Sequence, residues 1–272
     1  IREASSKGIE ISSSNDNIIE HNTISVLQSN SIGIEIHQAS EGTIVRGSNA
    51  ITTNERQSNA VDIHESDGNT ISGNTLTTFG MSSKGISIRE SSDSTIEDNE
   101  IVIGGSTDSG ISIGGSSLGA HRNSISRNSI TMTTGTYGIT IEEEGDDTLV
   151  EENTLSVLQG HGINLRGQGT RHPDNTVIDG NTFANVGFNE IRVSDRSVFF
   201  TLRNQPIQSY YLFAGGKPIL SDGNFAKIAF TSFVRGEGTD LDQFYSLDSK
   251  RIVIGKEGSS FLDQEATITF IN

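Results

Sequence analysis

"GISIRESSDSTIEDNEI", residues 85–101, contains two short stretches in which apolar and polar residues take turns. Ile86 and Ile88 bracket Ser87 in the first, and Ile96 and Ile101 bracket Asn99 in the second. A period of two belongs to a strand, because successive side chains of a strand point to opposite faces. The first cassette recurs along the chain as "GIEIS" (8–12), "GIEIH" (33–37), "AVDIH" (60–64), "GISIG" (110–114), "GITIE" (138–142) and "GINLR" (162–166), then as a weaker "EIRVS" (190–194). The intervals are 25, 27, 25, 25, 28, 24 and 28 residues. The second cassette returns as "IEHNTI", "ISGNTL", "ISRNSI", "VEENTL" and "IDGNTF", which place Asn22, Asn74, Asn128, Asn153 and Asn181 beside Asn99 in one series. One coil is irregular: "VRGSNAI" sets Asn49 one residue late.

Short strands at a period near 25 residues, with Gly, Asn and Ser between them, predict an all-β solenoid of about seven to eight coils built from parallel strands. The isoleucines face inward and stack from coil to coil. The recurring asparagine suits a corner, since Asn tolerates left-handed backbone and bonds neighbouring backbone groups. Stacked on itself, it forms an amide ladder.

Composition agrees with a thin core. The chain has 272 residues, 32% of them hydrophobic, with 30 Gly and 3 Pro. There is no cysteine, hence no disulfide framework and no thiolate chemistry. No apolar run approaches the ~20 residues that span a bilayer, so membrane insertion is not expected. No signal peptide is visible, and nothing resembling a cap precedes Gly8, so further coils are expected upstream. Residues 1–197 hold 12 bases against 27 acids, whereas residues 198–272 hold 7 against 8. So acidic a surface repels the phosphate backbone and excludes nucleic acid as a partner. It also repels polyanionic glycans unless cations intervene.

The repeat resembles the right-handed parallel β-helix proteins of the pectin-lyase-like superfamily, over residues 1 to about 197. The resemblance implies the fold and leaves activity open, because that fold carries lyases, hydrolases, epimerases, adhesins and inert stalks. Beyond residue 197 the repeat dissolves. Eleven of the twelve Phe lie at or after Phe183, and segments such as "KIAFTSFVRG" and "ATITFIN" read as strands. Residues 198–272 are therefore expected to form a C-terminal β cap over the last coil, or a module for binding or homo-oligomerisation.

In-register coils turn sequence positions into columns. The first outward column reads Glu10, Glu35, Asp62, Ser87, Ser112, Thr140, Asn164, and the next reads Ser12, His37, His64, Arg89, Gly114, Glu142, Arg166. Neighbours within a column lie ~4.8 Å apart. Glu35, His37, Asp62, His64 and Arg89 thus form an expected exposed patch for binding a sugar chain. Stacked carboxylates repel or recruit a cation, which makes Glu35 and Asp62 candidate ligands for Ca²⁺. The alternative is a solvated polar face whose likeness from coil to coil reflects duplication.

Two loops break the rhythm at the same corner, "GGSSLGAH" (114–121) and "GQGTRHPD" (167–174), and are expected to wall a groove. "QGHGINLRG" (159–167), after "EEEGDD" (142–147), is similar to the Gly-His-Gly element of polygalacturonase-like hydrolases. That resemblance implies Asp146 and Asp147 as the acid–base carboxylates, assisted by His161 and Arg166. The Asn-Thr-Asp and Arg-x-Lys elements of those hydrolases are absent, and Gly162 is also the repeat glycine. "RHPD" (171–174) has the wrong order for the Asp-Pro-His-Asp element of uronan epimerases and leaves His172 in a loop. His21 and His121 fall at corners. Two readings follow: a secreted or cell-surface β-helix domain that binds polysaccharide or cell-surface glycan or serves as a stalk, or a polysaccharide-active lyase, hydrolase or epimerase.

Overall fold

The computed structural model describes residues 5–193, apart from 107–108, 116–117, 168–170 and 172. Beyond these it describes the side chain of Phe200 and the backbone of six strands between Phe199 and Ile271. Each of the seven coils between Lys7 and Ala184 carries three strands. In the fourth coil these are Lys84–Arg89, Thr95–Glu97 and Glu100–Ile103. Each strand pairs in parallel with its counterparts in the neighbouring coils, which generates three parallel sheets running along the stack. We call these the first, second and third sheets, in chain order within a coil. No helix among the described residues is long and apolar enough to cross a membrane. The expected all-β solenoid is the observed architecture.

The core is the column predicted from the cassettes. Ile34, Ile36, Ile63, Ile86, Ile88, Ile111, Ile113, Ile139 and Ile141 are fully buried, as are Ile71, Ile96 and Ile125 of the second sheet. Burying each such side chain stabilises by roughly 1.5–3 kcal/mol. The small residue that opens the first cassette is a steric requirement. A Cβ on Gly85 would sit 2.5 Å from Ile101 Cγ2 and 2.6 Å from the carbonyl oxygen of Gly110. The third coil carries Ala60 at this position, and there Leu76, which lacks a γ2 methyl, takes the place of Ile101 in register.

The asparagine cassette is a corner between two strands. Asn99 donates from Nδ2 to Asn128 Oδ1 at 3.0 Å, and the same bond links Asn22, Asn49, Asn74, Asn99, Asn128, Asn153 and Asn181 in turn. The residue in left-handed conformation is the one before the asparagine: His21, Gly73, Asp98, Arg127, Glu152 or Gly180. This corrects the expectation that Asn itself turns the chain. The preceding residue bends the backbone, which leaves the carboxamide free to lie along the stack. Asn49 keeps its place in the ladder because the second coil has two left-handed residues, Gly47 and Ser48, and the extra residue is absorbed there.

The backbone strands Phe199–Arg203, Tyr210–Leu212 and Lys217–Ser221 continue the second and first sheets in parallel, and Ile228–Thr231 pairs antiparallel with Asp242–Tyr245. The expected aromatic cap and its role in oligomerisation lie otherwise outside the described residues.

Candidate functional site on the outer face of the first sheet

The first sheet presents three outward columns, one more than the alternation predicts. The register aligns Glu35 with Asp62 and His37 with His64, then Asp62 with Ser87 and His64 with Arg89, so the expected columns are real neighbours. The additional column is Lys7, Ile32, Asn59, Lys84, Ser109, Tyr137, His161, each one residue before the small residue of its cassette. Strict alternation puts Lys84 in phase with the buried Ile86. The pairing skips Gly85, however, and Lys84 comes to the same face as Ser87. The contacts Lys7–Glu10 and Asn59–Asp62, each three residues apart, show the same phase shift. A visible signal existed: the position before each cassette is polar or aromatic in six of the seven coils.

At the N-terminal end, Lys7 Nζ lies 2.8 Å from Glu10 Oε1 and 2.5 Å from Glu35 Oε2. His37 Nε2 lies 3.0 Å from Glu10 Oε1. Hydrogen bonds to Glu10 and Glu35 hold the Lys7 amine above its usual range, and the bond from Lys7 holds the Glu10 carboxyl below its own. Lys7 therefore compensates the stacked carboxylates Glu10 and Glu35, together with His37 at Glu10. Asp62 departs from the expected exposed patch: it is 3% exposed, covered by Arg89 Nη2 at 3.2 Å, and accepts from Asn59 Nδ2 at 3.2 Å. Burial raises its carboxyl above the usual range, against the pull of Arg89. Among the described residues, two groups bring ligand atoms within 4.8 Å of one another: Glu10, Glu35 and His37, and His64, Glu65 and Glu90. Glu35 belongs to the first group and Asp62 to neither. Lys7 pairs with Glu35, and Arg89 with Asp62.

The middle of the face is hollow. Gly114 stands in the second column between Arg89 and Glu142, where neighbouring coils carry long side chains. The gap is a cavity of about 230 Å³ lined by His64, Lys84, Arg89, Glu90, Ser112, Gly114, Gly115, Glu142 and Glu143. Lys84 Nζ donates to Ser112 Oγ at 2.9 Å across the floor. Burial pulls the Lys84 amine below the usual lysine range, while Glu142 and Asp62 oppose that pull.

Toward the C-terminal end the face becomes aromatic. Tyr137 stacks on His161 with centroids 5.8 Å apart, and His161 meets the exposed Phe188 at 5.4 Å. Arg192 Nη1 donates to Tyr137 Oη at 2.6 Å, and its guanidinium carbon lies 5.8 Å from the ring centre. His161 Nδ1 accepts from the Asn189 backbone N–H at 3.2 Å. Burial, with Arg192 nearby, pushes the His161 imidazole down to about 4.

The residues marked by the hydrolase resemblance fall in two places. Arg166 faces Glu142 at 3.5 Å. Asp146 and Asp147 lie in the corner after the strand Tyr137–Glu142, whereas His161 begins the next first-sheet strand, so a strand length of roughly 16 Å intervenes. Asp146 accepts from the Asp174 backbone N–H at 2.8 Å, as Asn15 does from Glu41, Asp67 from Ser92, and Ser92 Oγ from His121. Asp146 is thus one of a series of corner residues that cap the next coil. Its second contact is His121 Nδ1 at 3.5 Å. Asp147 occupies the left-handed corner position and accepts from Asn175 Nδ2 at 3.2 Å. His21 holds the equivalent left-handed place at the asparagine corner. Parts of the two long loops, His172 included, lie outside the described residues.

The description "right handed beta helix region" matches residues 25–183. The chain belongs to that β-helix family. Among solved structures, this β-helix protein is similar to DFA-IIIase from Arthrobacter chlorophenolicus A6, solved without its lid. The two are 15% identical with a TM-score of 0.46, over 70% of this chain and 56% of that one. The β-helix chain therefore spans a little over half the length of that enzyme. No curated protein matches it.

Proposed function

We propose that this β-helix domain binds glycan chains along the outer face of the first sheet, and that it does so outside the cell or on its surface. The observation that carries the reading is the continuity of a polar, charged cavity with a ring stack on one face. Sugars offer both kinds of surface at once, hydroxyls for charged and polar partners and flat C–H faces for aromatic rings. Ser112 brings a hydroxyl to the cavity wall, and Tyr137 stands two rungs, roughly 10 Å, from Lys84 in the same column. The excess of acids over the β-helix favours a neutral or sparsely charged chain.

Retention on an array of neutral and uronic polysaccharides tests this. The wild type is expected to retain at least one neutral polysaccharide, and Tyr137→Ala is expected to weaken retention roughly tenfold, about 1.4 kcal/mol. Absence of any retained polysaccharide, or an unchanged Tyr137→Ala, sinks the reading. Protease treatment of intact producing cells tests the location: a domain on the surface is cleaved while cytoplasmic proteins survive.

A further inference from the structure

Lys7 and Lys84 are the same residue of the repeat in two different settings. Lys7 reaches across one coil to Glu35, the first-column residue of the next coil. Lys84 makes the same reach and meets Ser112. Where the second coil supplies a carboxylate counter-ion to Lys7, the fifth coil supplies a hydroxyl to Lys84, and it does so on the wall of a cavity. A carboxylate brings a full opposite charge to the lysine, which a hydroxyl does not.

We propose that Ser112 is a nucleophile activated by Lys84, and that the cavity around them hydrolyses short acyl esters carried on sugar hydroxyls. The sugar half of this rests on the glycan reading above; the pairing of nucleophile and base does not. With Lys84 neutral, its Nζ takes the proton of Ser112 as Oγ attacks the ester carbonyl carbon. The bond from that carbon to the sugar oxygen then breaks, and the departing oxygen takes the proton from Lys84. The acyl group is left on Ser112. Water attacks it, gives a proton to Lys84, and the bond to Oγ breaks as Oγ recovers that proton. The net change is ester and water to alcohol and carboxylic acid. Arg89, tied at 3.2 Å to Asp62, lines the same cavity and places a positive charge where the carbonyl oxygen becomes negative. The groups facing Lys84 are Asp62, Arg89 and Glu142, with His64, Glu90 and Glu143 on the cavity wall. Burial outweighs the two carboxylates and lowers the amine's hold on its proton below that of an ordinary lysine. A space of about 230 Å³ admits an acetyl group with part of one sugar ring rather than a long acyl chain.

Incubation of the full chain with a fluorophosphonate, followed by peptide mapping, is expected to place the label on Ser112. Lys84→Met is expected to slow labelling on the order of 10²- to 10⁴-fold. Hydrolysis of p-nitrophenyl acetate and of glucose pentaacetate should be lost in Ser112→Ala. The wild-type rate should rise with pH, with a midpoint below the ordinary lysine value, and that rise should vanish in Lys84→Met. A wild type that carries no label on Ser112, or a folded Ser112→Ala that hydrolyses both esters as well as the wild type, overturns the proposal. Labelling of the wild type needs neither a variant nor a glycan. Glycan retention without labelling overturns the nucleophile alone, and labelling without retention overturns the binding reading alone.

Discussion

His161 enters its ring stack as a neutral imidazole, and that fixes a pH dependence. Its proton affinity falls from an ordinary 6.5 to about 4 in the folded chain. Between those values the unfolded chain binds a proton that the folded chain refuses, so stability declines as pH drops from 6.5 toward 4. Allowing for its partial exposure, the loss is roughly 2 kcal/mol. His161→Gln is expected to flatten that part of the stability–pH curve, as read by urea titrations at several pH values. At this scale the sequence was only partly legible. The neighbours Glu35–Asp62 and His37–His64 follow from the repeat alone, because parallel coils preserve phase. Lys84 and Lys7 do not follow, since one skipped glycine moves a residue from one face to the other. The burial of Asp62 was also hidden: it depends on where Arg89 folds over from the next coil.

At the scale of the element, the asparagine ladder gives a single side chain several bonds at once. Asn99 donates to Ile71 O and Asn128 Oδ1, and its Oδ1 accepts from both the backbone and the side chain of Asn74. Asn99→Ala removes all four bonds and strands buried groups on two neighbouring coils. A loss of about 3–5 kcal/mol is expected in chemical denaturation. The ladder was legible from "N-T-I" spacing, including its irregular second rung. The serine ladder at another corner was not: Ser31 Oγ accepts from the Ser6 backbone N–H, Ser58 Oγ from Ser31, and Ser83 Oγ from Ser58. Serine is common in this chain, so its recurrence at one position carries little signal by itself.

At the scale of the whole molecule, each coil contacts chiefly its two neighbours, and stability is close to a sum over coils and their interfaces. Deleting residues 85–109, one full repeat, joins Lys84 to Gly110 in phase. The shortened chain is expected to keep a β spectrum and a cooperative melt at a lower temperature. Deleting residues 85–97 destroys phase and should abolish the melt; circular dichroism distinguishes the two. Equal damage from both deletions would refute the register described for the sheets. The same stacking has a mechanical side. A coil of about 25 residues can extend to roughly 80–90 Å of chain, yet it occupies only ~4.8 Å of axis. Pulled from its ends, the protein behaves as a wound spool. It gives up length one turn at a time, and every turn released leaves a shorter rod with the same cross-section.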